Sequence, residues 1–219
     1  MNLRTYISLV FLLSVYQLDF HTKKDNEWKL VKNKDGIKAY TRYVEGSDIK
    51  KVKCVTNVKT KLSSLVSLLK DVSHQNKWMY NCINTKILRT VNDTEYYFYT
   101  LSNAPWPVNR RDIVTHTTIK QENNTKKVIF FAEGLPKYLK ENKGIVRIKT
   151  LKSKWEFTPQ KNGTVNVIFY LQIDVGGSVP TWAMNIAIAE GPFQTVKNLV
   201  TEVKKDKYKN AHISFIKEL

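Results

Sequence analysis

The feature that most constrains the fold is a long succession of segments in which apolar and polar residues alternate. Residues 50–58 place Val52, Cys54, Thr56 and Val58 on one face and lysines on the other. Residues 164–175 repeat the pattern with Val165, Val167, Phe169, Leu171, Ile173 and Val175. Successive side chains of a strand point to opposite faces, so each segment is predicted to be a strand with one face toward a core. The sequence therefore predicts a sheet with an apolar inner face.

Strands are also predicted at residues 28–34, 36–44, 86–91, 95–101, 112–120, 127–132 and 145–157. Turn formers separate them, including Asp35-Gly36, Asn92-Asp93 and Asn162-Gly163. Such short turns join antiparallel neighbours. Residues 62–69 change to helical spacing, and residues 71–78 suggest a second short helix. The pattern predicts a long antiparallel meander interrupted once by helices.

The last strand is followed by one long amphipathic stretch. Gly176-Gly177 ends the sheet, Pro180 suits a helix start, and residues 181–206 are predicted to form one helix. Gly191-Pro192 should kink it near residue 188, because proline removes a hydrogen bond and clashes with the preceding turn. Residues 207–219 are predicted to be a basic tail. The fold class is therefore α+β.

The first 20 residues resemble an export signal. Arg4 precedes an apolar run from Ile7 to Leu18, which suits a signal-peptide core and is short for a membrane span. No small-x-small cleavage site follows, so an uncleaved N-terminal anchor stays open. Export, or anchoring by this segment, is the expected localisation. An exported protein could also form a Cys54–Cys82 disulfide, although a buried free thiol at Cys54 suits the alternation equally.

The formal net charge is +17, from 36 Lys and Arg against 19 Asp and Glu. Such an excess favours anionic partners, either membrane or nucleic acid, or it is a solvated lysine-rich surface that binds nothing in particular. Residues 38–43, with lysine and arginine between tyrosines, resemble a single-strand binding surface or simply a hairpin strand.

Motifs for catalysis or for cofactors are missing from the sequence. The four histidines are scattered, and no metal-ligand spacing, Gly-x-Ser-x-Gly elbow or phosphate-binding glycine loop occurs. The expectation is a protein without metal, cofactor or catalytic residues.

Several motifs in one order resemble the START (StAR-related lipid transfer) family. They are the segments 28–31 and 36–40, Trp78, the segment 104–114 (Ala-Pro-Trp-Pro-Val-Asn-Arg-Arg-Asp-Ile-Val), residues 144–147 and residues 174–185. Segment 104–114 is similar to the family's Pro-x-Pro-Val-x-x-Arg-Asp-Phe. The likeness covers residues 26–206.

The resemblance implies a helix-grip fold, in which a curved antiparallel sheet wraps a long C-terminal helix around an internal hydrophobic cavity. It implies a non-catalytic binder of one lipid or other hydrophobic ligand. With the net charge of +17, an anionic membrane is the expected partner, no nucleic acid is expected, and the expected state is a monomer. An enzyme of cyclase or hydrolase type on the same scaffold is the alternative. In some sterol-carrying members an acidic residue and an arginine pair inside the cavity; Thr117 stands where that arginine is expected, which argues against a sterol.

Candidate site residues follow from this resemblance. Those that line the tunnel, or else form ordinary core, are Phe131, Phe169, Leu171, Trp182, Met184, Ile186 and Phe193. Arg111 and Asp112 either meet a ligand head group or form a structural clasp. Two loops, residues 102–110 and 134–143, are predicted gates that touch the membrane through Trp106, Leu135, Tyr138 and Leu139.

Overall fold

The computed structural model describes residues 26–104, 108–177 and 179–219. Its strands are β1 (Lys29–Lys34), β2 (Ile37–Val44), β3 (Ser47–Lys59), β4 (Cys82–Asn92), β5 (Glu95–Ser102), β6 (Arg111–Gln121), β7 (Val128–Gly134), β8 (Val146–Arg147), β9 (Thr150–Pro159) and β10 (Thr164–Asp174). Its helices are α1 (Leu62–Lys70), a 3₁₀ helix (Val72–Lys77), α2 (Thr181–Ala187), α3 (Glu190–Glu202) and α4 (Asp206–Lys209).

All ten strands form one sheet, in the order β1-β2-β3-β10-β9-β7-β6-β5-β4, with β8 paired to β6. The pairs along this path are antiparallel, whereas β8 runs parallel to β6. The predicted antiparallel meander is therefore confirmed. β10 pairs with both β3 and β9, so the last strand lies in the middle of the sheet.

Helices α1 and α3 cover the inner face of the sheet at one end. Leu62, Leu65 and Val66 of α1 and Phe193 and Val196 of α3 are buried in the same cluster as the inward residues of β2, β3, β9 and β10. This cluster is the hydrophobic core, as the alternation predicts.

The C-terminal helix is broken where the sequence predicts a kink. Helix α2 ends at Ala187 and α3 begins at Glu190, so the break lies at Ile188 and Ala189. Pro192 has no N–H for the carbonyl of Ile188 and its ring clashes there, which explains the position. The predicted extent is wrong at the other end, because α3 stops at Glu202 and a separate short α4 follows.

Residues 207–219 pack against the domain and correct the prediction of a basic tail. Tyr208 is 1% exposed and Ile216 is 6% exposed, and both belong to the core cluster. The Glu218 carboxylate accepts hydrogen bonds from the backbone N–H groups of Leu62 at 2.9 Å and Ser63 at 2.8 Å. Since the N-cap residue Lys61 supplies no side-chain bond, Glu218 caps α1 from the far end of the chain.

Other predictions meet the structure only in part. The predicted export segment, residues 1–20, lies outside the described residues. Within the described ranges, no helix is long and apolar enough to cross a membrane. Cys54 and Cys82 are both free, and burial raises the pKa of Cys54 to about 12 and that of Cys82 to about 11. The open question of a disulfide is thus decided in favour of free thiols.

Replacing Glu218 by Ala should destabilise the fold by about 1 kcal/mol, because two N–H groups at the start of α1 lose their acceptor. Thermal unfolding measures this. The neighbouring substitution Lys217→Ala is the control, since Lys217 bonds to Gln121 through its backbone alone: its N–H donates to Oε1 of Gln121 at 2.9 Å and its carbonyl accepts from Nε2 of Gln121 at 2.7 Å. Equal melting temperatures for the two variants would show that the cap contributes nothing.

Candidate functional site

The inner face of the sheet changes character from one end to the other. Toward α1 it carries large aromatic rings, and Trp155 stacks on Phe169 at 4.0 Å between ring centroids. Two residues further along the strands, toward the end of β10 that leads to α2, the inward residues of β9, β7 and β6 are small: Ser153 opposes Ala132, and Ala132 opposes Thr117. Rings fill the inner face in the first half, whereas the small side chains of the second half leave part of it unfilled.

That space is visible in the burial of the inward residues. Phe169 is buried, but Leu171, two residues later on the same face, is only half-buried. Ser153 and Ala132, which lie in the same row across β9 and β7, are half-buried as well. Because these side chains point away from the outer surface, their accessible area faces the interior between the sheet and the helices. The described inner face is therefore only partly filled at the α2 end, and this unfilled part is hereafter called the cavity.

A second space adjoins this cavity where β10 ends. It has a volume of about 510 Å³, and its lining includes Ile173, Asp174, Gly177, Thr181 and Met184. α2 is held over this end of the sheet by Asn185, whose amide accepts from the Lys50 N–H at 2.9 Å and donates to the Asp48 carbonyl at 2.8 Å. These two hydrogen bonds seat α2 at the end of the cavity.

The predicted lining residues divide into three groups. Leu171 and Met184 are half-buried beside the cavity, whereas Phe169 and Phe193 are packed in the core. Trp182 is 69% exposed and Phe131 is 43% exposed, so neither lines an enclosed cavity. Ile186 lies on α2, and its side chain is outside the described residues.

The prediction that Phe131 lines the cavity is wrong because of the phase of strand β7. Phe130 and Phe131 are adjacent, so one must face inward and the other outward. The register pairs Phe130 with Trp155, which is inward, and Phe131 with Lys154, which is outward. Sequence reasoning also missed Ala132 and Ser153, since small residues carry no periodic signal of their own.

Asp112 and Arg147 form a buried ion pair on the outer side of β6. The Nε of Arg147 donates to Oδ1 of Asp112 at 2.6 Å and its Nη2 donates to Oδ2 at 3.2 Å. Tyr99 and Asn142 also donate to Oδ2, at 3.1 and 3.2 Å. Burial by itself would raise the pKa of Asp112, but the bonds and charge of Arg147, with Tyr99 and Asn142, lower it below its usual value.

The same guanidinium holds the second predicted gate loop. Nη1 of Arg147 donates to the carbonyls of Pro136 at 2.6 Å and Leu139 at 2.9 Å. Asp112 is thus part of a structural clasp, one of the two alternatives predicted for it. In the sequence, Arg147 is only the last residue of the family-like segment 144–147, and nothing in its local sequence indicates this partner.

Arg111 points to the opposite, inner side of β6. It is 5% exposed, and it donates to the carbonyl of Asn109 and to that of Gly176, the latter at 3.4 Å. Its Nε has no hydrogen-bond partner, and no carboxylate of the described residues forms an ion pair with it. Arg111 therefore ties the segment before β6 to the turn before α2. Burial lowers its pKa.

The predicted gate residues lie on the second loop as far as they are described. Tyr138 and Leu139 are exposed, Leu135 is half-buried, and the Tyr138 ring stacks on Tyr97 at 5.5 Å. Trp106 falls in the gap at residues 105–107 and lies outside the described residues.

Few side chains on the described inner face could act as a general acid or base. Among the described residues, the buried and half-buried inward positions of β2, β3, β5, β6, β7, β9 and β10 hold no aspartate, glutamate or histidine, and Asp48, in the same phase of β3, is exposed. Burial raises the pKa of the inward Tyr96, and the neighbouring Thr117 hydroxyl lowers it less. The described part of the chain also has no group of three or more His, Cys, Asp or Glu side chains placed to hold a metal ion.

Comparison with known proteins agrees with this geometry. A family model described as "START domain" matches residues 17–209. An uncharacterized protein of Pseudomonas aeruginosa is 33% identical over 180 residues, which cover 82% of this chain and 88% of that one.

Solved structures are similar over most of the chain. The crystal structure of a STAR-related lipid transfer protein fragment from Xanthomonas axonopodis has 34% identity and a TM-score of 0.76, covering 81% of this chain and 99% of the fragment. Human STARD10 (19% identity, TM-score 0.73, 85% of this chain and 78% of that one) shares the fold. At 8% identity and a TM-score of 0.52, the fold also extends to an aromatase/cyclase of Streptomyces, over 70% of this chain and 93% of the enzyme.

Replacing Asp112 by Asn should cost about 3–5 kcal/mol at neutral pH, because Arg147 stays buried without its counter-ion. Folding lowers the pKa of Asp112. Its contribution to the free energy of unfolding is therefore present at pH values above its unfolded pKa of about 4, and is lost as the pH falls below that value. The melting temperature of the variant should therefore fall less than that of the wild type as pH drops below about 4.

The control is Asp93→Asn, whose carboxylate is 85% exposed and pairs with Lys70 only at 3.9 Å. A surface pair of this kind contributes about 0–1 kcal/mol. If Asp112→Asn melted like Asp93→Asn at neutral pH, the clasp would not be a stabilising element.

Proposed function

The chain belongs to the START domain family, and on that premise we propose that it binds one lipid-sized hydrophobic ligand in the cavity beneath α2, without catalysing a reaction. The observation that carries the proposal is the row of inward, half-buried side chains from Leu171 through Ser153 to Ala132. An apolar, partly empty interior binds acyl chains well, because each buried methylene contributes about 0.8 kcal/mol. Few polar contacts are then needed for affinity.

The chemistry of the wall indicates what kind of ligand suits it. Ser153, Thr115 and Thr117 supply hydroxyls among the aliphatic side chains of Leu171, Leu151 and Ile113. Such a wall suits an apolar body that carries one or two hydrogen-bonding groups, and shape sets most of the selectivity. The inward guanidinium of Arg111, with its free Nε, is the group we propose for contact with a polar head.

A carrier is favoured over an enzyme by the composition of that wall. Hydrolysis or cyclisation with side-chain acid–base catalysis needs a group positioned beside the substrate that can exchange a proton near neutral pH. The described inner face offers hydroxyls and a guanidinium instead. The resemblance to the aromatase/cyclase concerns the fold alone, and function depends on the site.

Ligand entry is proposed to involve the loop of residues 134–143 at an anionic membrane, outside the cytoplasm. Exposed Tyr138 and Leu139 lie beside Lys137 and Lys140, which suits insertion at an interface where lysines meet anionic head groups. Arg147 holds this loop through its backbone carbonyls. The side chains of the loop are therefore free to insert into the membrane while its backbone stays bound to Arg147.

The cavity is tested by one substitution made at two inward alanines. Ala39 is fully buried, so Ala39→Leu should overpack the core and cost about 1–3 kcal/mol. Ala132 borders the cavity, so Ala132→Leu should be tolerated and should fill ligand space. Native mass spectrometry of protein from its own host, followed by solvent extraction, should show a bound lipid in the wild type and lower occupancy in Ala132→Leu. Unchanged occupancy in that variant would place the ligand elsewhere, and a wild type that never carries or accepts lipid would overturn the proposal.

The gate is tested by charging the loop. Leu139→Asp should slow lipid transfer between anionic vesicles several-fold, because a carboxylate is repelled by the head groups and is costly to insert. Val91→Asp is the matched control, since Val91 is similarly exposed but lies on β4 and not on the loop. Equal transfer rates for both variants would contradict a role of this loop in membrane contact.

A further inference from the structure

A continuous row of aromatic, aliphatic and basic side chains crosses the outer, convex face of the sheet. The strand register places these residues side by side in the order Leu30, Tyr40, Lys53, Tyr170, Lys154 and Phe131, hereafter the outer row. Adjacent strands are about 4.8 Å apart, so the row extends over roughly 24 Å. It spans six neighbouring strands, and its members are far apart in sequence.

The two ends of the outer row are apolar and open to solvent. Leu30 is 53% exposed on the edge strand, and Val31 beside it is exposed at a bulge. Phe131 is exposed at the other end. Leu30 and Val31 form an exposed apolar pair at one end, and with Phe131 at the other they give the basic row the amphipathic character of a membrane-contact surface.

The middle of the row borders three cations for which the described residues supply no ion-pair partner. Arg42 lies directly opposite Lys51, and both adjoin Lys53. None of these three forms an ion pair with a carboxylate of the described residues, and the Arg42 Nε is buried without an acceptor. Lys154, by contrast, pairs with Glu156 at 2.6 Å. Like charges directly opposite each other on a sheet are destabilising, so this cluster favours an external anion.

Rings hold these cations in place. Lys53 lies 4.6 Å from the ring centroids of both Trp28 and Tyr40, and Arg42 lies 4.8 Å from that of Trp28. Burial lowers the pKa values of Lys51 and Lys53, and the charge of Arg42 lowers them further. The cations are thus ordered, partly desolvated and mutually repelling before any anion binds.

We infer that the outer row, together with Arg42 and Lys51, is a docking surface for an anionic phospholipid membrane, separate from the cavity and from the gate loop. Cations in the middle meet phosphate groups, and Leu30 and Phe131 enter the apolar part of the interface. A free phosphate would have no use for the apolar ends. A nucleic acid strand would stack on open rings, but here cations cover the ring faces. This docking surface is independent of the proposed ligand site, because the two lie on opposite faces of the sheet.

The test compares two triple variants of the full chain that remove equal positive charge. Arg42→Gln/Lys51→Gln/Lys53→Gln neutralises the cluster. Lys161→Gln/Lys204→Gln/Lys209→Gln removes three exposed lysines from a basic cavity of about 790 Å³ at the far end of the sheet. Flotation with vesicles of phosphatidylcholine, with and without phosphatidylglycerol, measures binding. The first variant should bind the anionic vesicles roughly tenfold to a hundredfold more weakly, the second close to wild type.

Two further measurements make each outcome decisive. Melting temperature should rise or stay constant in the first variant, because repulsion among Arg42, Lys51 and Lys53 is relieved, so lost binding cannot be ascribed to unfolding. Leu30→Ser, with no charge change, should also weaken vesicle binding.

Equal weakening of vesicle binding by both triple variants would show a non-specific effect of net charge. Loss of binding only in the second triple variant would move the contact to the basic cavity. Either result overturns the inference. So would binding of a single-stranded oligonucleotide, but not of vesicles, that is lost in the first variant. Lipid occupancy by mass spectrometry reports on the cavity separately.

Discussion

The pairing of β10 with β3 is the constraint on which the rest of the structure depends. It joins the N-terminal hairpins to the later strands and puts the last strand in the middle of the sheet. Because α2 and α3 follow β10 directly, they must cross the centre of the inner face, where α3 contacts β2, β3 and β10. α2 contacts β3, whereas the small inward residues Ser153 and Ala132 lie further across the sheet on β9 and β7. Rings fill the inner face at the other end, so unfilled space is left only at the end where these small groups lie.

The two halves of the outer face differ in whether their charged side chains have partners of opposite charge. On β6, Asp112 and Arg147 are buried as a fully bonded pair whose remaining donors hold a loop. On β2 and β3, Arg42 and Lys51 face each other, and no carboxylate in the described part of the chain forms an ion pair with either. The first arrangement is stable by itself and suits a structural role. The second gains stability when an anion arrives, which is the physical basis for assigning it to a partner surface.

The limits of sequence reasoning follow from particular residues. Alternation identified the inner faces of β3 and β10 correctly, because every second residue there is apolar. It could not choose between Phe130 and Phe131, since two adjacent rings satisfy either phase. The amphipathic pattern placed Trp182 on the apolar face of the helix, but it lies in the first turn of α2 and is exposed. Lysines made residues 207–219 resemble a tail, although Tyr208 and Ile216 are enough to bury the segment.

By itself, the sequence determined the fold class, the antiparallel meander, the helix break before Pro192 and, through its motifs, the family. These depend on local periodicity and on backbone restrictions that each residue carries wherever it lies. Only the tertiary structure decided that Arg147 is the partner of Asp112, that Glu218 caps α1, that the cavity lies beside Ala132 and Ser153, and that six distant residues form one row on the outer face. Each of those depends on strand register or on contacts between residues far apart in sequence. Neither can be recognised from the local pattern of a single segment.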